Sequence, residues 1–175
     1  DFCECTDWSL MNCVYAVSVL QFERNLEDAV LFFDKLFQLQ GTVLPTSIAH
    51  KKLVAIRENG ELLCSEAEIV ELRSNSRIRK IYLHEQYPDR EALAALSPEQ
   101  CEVYFEMNNC FVRITDRVRH ALSDADIIIY APGTQHSSLY PSYMSRQLAA
   151  TIVQNTKATK VFIPNIGADY ETPMY

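Results

Sequence analysis

The chain has 175 residues, 48% of them hydrophobic and 22% charged, and its 16 Lys+Arg against 23 Asp+Glu leave a formal net charge of −7. A chain of this size can bury one sizeable core, so a single domain over residues 1–175 is the expectation. The apolar fraction excludes wholesale disorder, and seven Pro with only four Gly exclude a collagen-like chain.

The excess of carboxylates repels polyphosphate at long range, and with no basic patch to overcome it a nucleic-acid partner is not expected. The apolar runs are too short to span a membrane and no signal peptide opens the chain, which reads as soluble and cytoplasmic. Six cysteines (Cys3, Cys5, Cys13, Cys64, Cys101 and Cys110) are too sparse for a disulfide scaffold and read as reduced thiols. The abrupt start at Asp1-Phe2-Cys3 suggests a segment of a longer polypeptide.

Two amphipathic helices come first. Asn25 suits an N-cap, with Asp28 at the third helical position. Leu26, Ala29, Val30, Phe33, Leu36 and Phe37 then recur at three- and four-residue steps, the stripe of a buried helix face, and Gly41 marks its end. From Thr42 the period changes: Leu53–Ile56 and Glu61–Leu63 read as two strands joined through Asn59-Gly60. Ile78–Leu83 reads as another strand, although Arg79-Lys80 breaks the alternation.

Asp89 and Ser97-Pro98 are helix start signals, and Val112–Leu122 has the pattern of a basic and apolar helix. Asp126–Tyr130 is a continuous apolar run, the pattern of a parallel strand covered on both faces. A loop over 132–140, a helix over 142–155 and a second buried strand at Lys160–Ile163 complete one βαβ unit, whose crossover is expected to be right-handed.

Ligands in such units sit at the carboxyl ends of the strands. There the first loop offers Gly133, where backbone can approach a ligand closely, with hydroxyls from Thr134, Ser137 and Ser138. The helix that follows would turn its positive N-terminal end toward a guest such as phosphate. Gly and Ser are also ordinary turn residues, so the loop alone does not decide between a site and a turn. His136 is read either as a phosphate or proton-transfer group or as an exposed polar residue.

The second loop offers Asn165, Gly167, and the carboxylates Asp169 and Glu171, which either assist a Mg²⁺–phosphate pair or are solvated charges. Asn12, inside the apolar run Leu10–Ala16, either bonds neighbouring backbone or faces a ligand. Cysteine and histidine spacing gives no zinc site, and P-loop, G-x-G-x-x-G and G-x-S-x-G motifs are missing.

Three stretches together resemble the 2-phospho-lactate transferases of deazaflavin-coenzyme synthesis and the related gluconeogenesis-factor proteins. Gln40-Gly-Thr-Val-Leu-Pro45 is similar to that family's R-G-x-V-L-P. Ala125–Pro141 is similar to its A-D-x-I-x-x-G-P-G-S-x-x-T-S-x-x-P strand and loop. Lys160–Ile166 followed by Glu171-Thr172 is similar to K-V-Y-V-x-N-x-x-T-x-P-G-E-T, and Asn12 falls where the family has a G-N pair.

The resemblance, over most of residues 8–96 and 112–172, implies a Rossmann-like three-layer αβα fold with a partly parallel sheet and a small β-hairpin. It implies a GDP- or UDP-linked small molecule as partner, bound through Gly133, Thr134, Ser137, Ser138, Asn165 and Asn12. In the transferase branch Mg²⁺ assists movement of a phosphate-linked group; in the other branch a nucleotide-sugar is bound for regulation. The family's Gly-rich opening strand-loop and metal-binding D-D-G-G-S-S-G stretch do not occur among these residues, so a fragment with no turnover of its own is expected. Residues 97–111 read as an insertion, Met11 stands where the family has glycine, and homo-oligomerisation is left open.

Overall fold

In a computed structural model, residues 9–70 and 76–167 are described. The chain divides into two compact units, residues 1–48 and 49–175.

In the first unit, α1 (Leu10–Gln21) is capped by Ser9, whose hydroxyl accepts from Asn12 N at 3.1 Å. α2 (Leu26–Leu36) is capped by Asn25 as the sequence predicts, with Asp28 N donating to its side chain at 3.3 Å. The helices meet through Tyr15 and Phe33, whose rings pack edge to face at 4.6 Å. Gly41 does not end α2. Gln38 takes the left-handed conformation (φ 50°), Gln38 N bonds Lys35 O at 3.2 Å and Leu39 N bonds Asp34 O at 3.0 Å. Those two bonds are a Schellman closure, which ends the helix before the glycine is reached.

The second unit opens with β1 (Lys52–Arg57), flanked antiparallel by β2 (Leu62–Leu63) and β3 (Ile78–His84). The Asn59-Gly60 turn forms as predicted, with Gly60 at φ +85°, a conformation that favours glycine. The broken alternation of β3 has a structural origin. Ile56 pairs with Lys80 but Arg57 with Ile78, so Arg79 is the extra residue of a bulge. Arg79 and Lys80 then turn outward onto Glu102 and Glu106 at 2.8 and 2.7 Å.

Both faces of this sheet are buried. Leu53, Ala55 and Ile81 form one core with Ile69 of α3 (Glu66–Val70) and with Val112. Val54, Ile56 and Tyr82 form the other, with Leu93 of α4 (Arg90–Ala94) and Cys101 and Phe105 of α5 (Pro98–Met107). Residues 97–111 therefore supply side chains to a core. Their entry is fixed by a capping box between Ser97 and Gln100, with Pro98 in the first turn.

The predicted helix from Val112 begins later, as α6 (Asp116–Asp124), with Thr115 as its cap. Val112–Ile114 is extended because its backbone bonds a distant segment: Arg146 N donates to Val112 O at 2.8 Å and Ile114 N to Arg146 O at 3.4 Å.

Next come β4 (Ile127–Tyr130) and, after the connection, β5 (Thr159–Phe162), paired in parallel from Ile127↔Thr159 to Tyr130↔Phe162. The βαβ unit is present, but its strands are not covered on both faces. Ile128 is buried, whereas Ile127 and Ile129 are 60% and 57% exposed and β5 is exposed throughout. Side chains alternate across a strand, so one side of β4 is bare.

The connection also differs from the predicted loop and single helix. Gln135–Leu139 is a π-helical turn that runs into α7 (Tyr140–Tyr143). The chain then leaves the helix where Arg146 joins Val112 and Gln147 takes φ 75°, and it resumes as α8 (Leu148–Gln154). Buried Asn155 fastens this end: its amide donates to Leu122 O and Ala125 O, each at 2.8 Å, and its carbonyl accepts from Ala158 N at 3.1 Å. The architecture is mixed α/β.

Candidate functional site

Parallel pairing of β4 and β5 delivers both following loops to one edge. Beyond the strands the ladder continues with Ile163 N donating to Tyr130 O at 3.0 Å. Asn165 then bonds Gly133 reciprocally: Gly133 N donates to Asn165 Oδ1 at 2.9 Å and Asn165 Nδ2 donates to Gly133 O at 3.0 Å. Two residues far apart in sequence are thereby clamped, and the Gly133 N–H is already engaged. A Cβ at Gly133 would lie 3.2 Å from Leu139 Cδ2, so the glycine lets the turn fold close against its own loop.

Immediately after Gly133, Thr134 gathers the loop hydroxyls. Its Oγ1 lies 2.8 Å from Ser137 Oγ and 2.6 Å from Ser138 Oγ, while its carbonyl accepts from Ser138 N at 3.3 Å and Leu139 N at 3.1 Å. A hydroxyl carries one rotatable proton and two lone pairs. All three groups can therefore satisfy one another at rest or swing outward to donate to an arriving anion.

Charge does not mark the site. Residues 127–167 contain no Asp or Glu, but α3, which carries Glu66 and Glu68, packs against the Gln135–Leu139 turn, and Lys160 is turned to Asn155 O at 2.7 Å, at the other end of the strand pair.

Sequence reasoning missed an aromatic row beside the hydroxyls. The His136 and Tyr140 rings are 5.4 Å apart, Tyr140 and Tyr143 are 6.3 Å apart and nearly perpendicular, and Tyr143 meets Tyr130 at 6.3 Å. The four- and three-residue steps from His136 to Tyr140 to Tyr143 are the helical signal that could have found it.

Asn12 belongs to the first unit, and it is not the buried amide its apolar surroundings suggest. Its side chain is exposed and its backbone N–H is used by the Ser9 cap. Asp169 and Glu171 lie outside the described residues, as do Cys3 and Cys5. Cys13, Cys64, Cys101 and Cys110 are free thiols, as expected. Among the described residues no group of three or more His, Cys, Asp or Glu side chains could hold a metal ion. No helix among the described residues is long and apolar enough to cross a membrane.

The sequence matches the family described as 2-phospho-L-lactate transferase CofD over residues 13–173. The chain belongs to that family. It is 26% identical over 161 residues to the gluconeogenesis factor of Bacillus subtilis, covering 92% of this chain and 42% of that protein. A Thermotoga maritima protein with a provisional form of the same name is 28% identical over 158 residues, covering 90% of this chain and 41% of the relative. A crystal structure of a UPF0052 family member from Bacillus halodurans superposes with a TM-score of 0.66 at 21% identity, over 90% of this chain and 42% of that one. The fold of this family member is Rossmann-like α/β, and the chain spans about two fifths of the length of its relatives.

Proposed function

We propose that the edge formed by the Gly133 and Asn165 loops binds the phosphates of a nucleoside-diphosphate-linked small molecule, within a 2-phospho-lactate-transferase-like protein. The observation that carries this reading is the junction of the Thr134 hydroxyl with those of Ser137 and Ser138, at 2.8 and 2.6 Å, beside the Asn165–Gly133 clamp at the carboxyl ends of parallel strands. Thr134, Ser137 and Ser138 donate to phosphate oxygens, as in other sites at strand ends. Gly133 keeps the loop close, and Asn165 holds it in register. Asn12 belongs to the first unit, and its exposed amide carries the weakest case for a ligand role. Residues 97–111, read from sequence as an insertion, contribute Cys101 and Phe105 to a core.

A non-catalytic variant of this reading, binding a nucleotide-sugar for regulation, is favoured by the gluconeogenesis-factor names of the relatives. It uses the same phosphate contacts and differs in the linked group. Calorimetry with GDP and UDP-glucose tests both. Thr134→Val combined with Ser138→Ala should weaken whichever compound binds by about tenfold or more, the scale of losing hydrogen bonds to a charged group, while the melting temperature holds. Undiminished affinity in that double variant contradicts the assignment. A preference for UDP-glucose selects the regulatory version.

A further inference from the structure

We propose that Tyr140, with His136 beside it, is the platform on which the nucleobase of the bound ligand stacks. This deepens the phosphate-binding reading above and rests on it. The row of rings has a direction. Tyr130 stands at the end of β4 and is half-buried, Tyr143 is half-buried against it, and Tyr140 is the outermost tyrosine, 42% exposed.

Tyr143 meets Tyr140 at an interplanar angle of 89°, so the inner ring braces the outer one by an edge contact. The tilt of 42° between Tyr140 and His136 adds a second bracing ring. A ring held in this way is pre-ordered, and a flat aromatic guest gains stacking without first immobilising a mobile side chain.

The platform is contiguous with the hydroxyls. Ser137 and Ser138 lie on the π-helical turn that runs directly into α7 at Tyr140, so the hydroxyls and the ring are three and two residues apart along one helical segment. A phosphate on the hydroxyls and a base on the ring are then separated by a gap that a sugar can bridge. A stacking face accepts any base, because every base has a π-face. The ring therefore contributes affinity for the nucleoside as a class, with no choice among bases.

Calorimetry on the full chain with two probes, GDP and inorganic pyrophosphate, separates the phosphate and base contributions. GDP should bind at least about tenfold more tightly than pyrophosphate. Tyr140→Leu, which keeps apolar bulk against Tyr143, should abolish that margin and leave pyrophosphate affinity within about twofold. Tyr140→Phe should keep the margin. Equal affinity for the two probes in the parent chain overturns the platform and leaves the phosphate reading standing. So does a margin that survives in Tyr140→Leu, or equal weakening of both probes in that variant. Failure of both probes to bind overturns the phosphate reading and the platform with it.

Discussion

Asn165 directs both ends of its carboxamide at the backbone of Gly133. Both residues are on the open edge of the molecule, so the two bonds contribute about 1–2 kcal/mol in all, and their chief effect is local order. Asn165→Leu should leave the melting temperature nearly unchanged and speed hydrogen exchange across residues 131–139. Asn165→Asp, which can accept from Gly133 N but cannot donate to its carbonyl, should fall between. Unaltered exchange in the leucine variant would show the clamp to be incidental.

His84 poses a different problem, because it is buried and its Nε2 lies 3.0 Å from Phe105 O. Burial pushes its pKa below the usual value, and the carbonyl contact only partly opposes that. The folded state therefore resists a proton that the unfolded chain accepts below about pH 6.5. The stability due to the neutral ring is present above that pH and declines as the pH falls toward the depressed folded value. Melting curves should record a loss of stability between pH 7 and the acid side, and His84→Gln should flatten that slope. An unchanged slope in the variant contradicts the assignment.

Among the residues read from sequence, Gly133, Thr134, Ser137, Ser138 and Asn165 were legible as a group because small polar residues after apolar strands mark a strand-end loop. The burial of Asn12 expected from the apolar run around it is not found, because Leu10, Val14, Val17 and Leu20 of α1 are exposed with it.

At the level of elements, signals carried by adjacent residues came through and those carried by distant partners did not. Asn25, Asp89 and Ser97 cap their helices as read, since a cap is a three-residue interaction. The start of α6 and the break before α8 were illegible, because both follow from Val112 and Ile114 bonding Arg146 across the chain. The exposure of β5 was illegible too: an apolar run specifies a strand without saying what covers it.

The segment 97–111 is the clearest case where packing adds to the sequence reading. Phe105 is fully buried, with its ring 5.6 Å from Tyr82 and 5.1 Å from His84. Phe105→Ala should cost about 3–5 kcal/mol in denaturant unfolding, far more than a change in a peripheral insertion. A loss near zero would mean that α5 rests on the sheet without supporting it.

For the molecule as a whole, net charge works against the proposed ligand. Composition predicts repulsion of anions, and α3 with Glu66 and Glu68 packs against the Gln135–Leu139 turn, so the phosphate binding proposed for this edge relies on neutral hydroxyl donors that parallel pairing and the clamp hold together. The family was legible from three motif stretches, and the family match over residues 13–173 agrees with them. The chain spans about two fifths of the length of these relatives.

The central claim is that phosphate binds at the Gly133–Asn165 edge, and an amide-resolved NMR titration with inorganic pyrophosphate tests it most directly. The largest saturable shifts should fall on Gly133 through Ser138 and on Asn165. Saturable shifts confined to other segments, or none up to millimolar pyrophosphate, would contradict it.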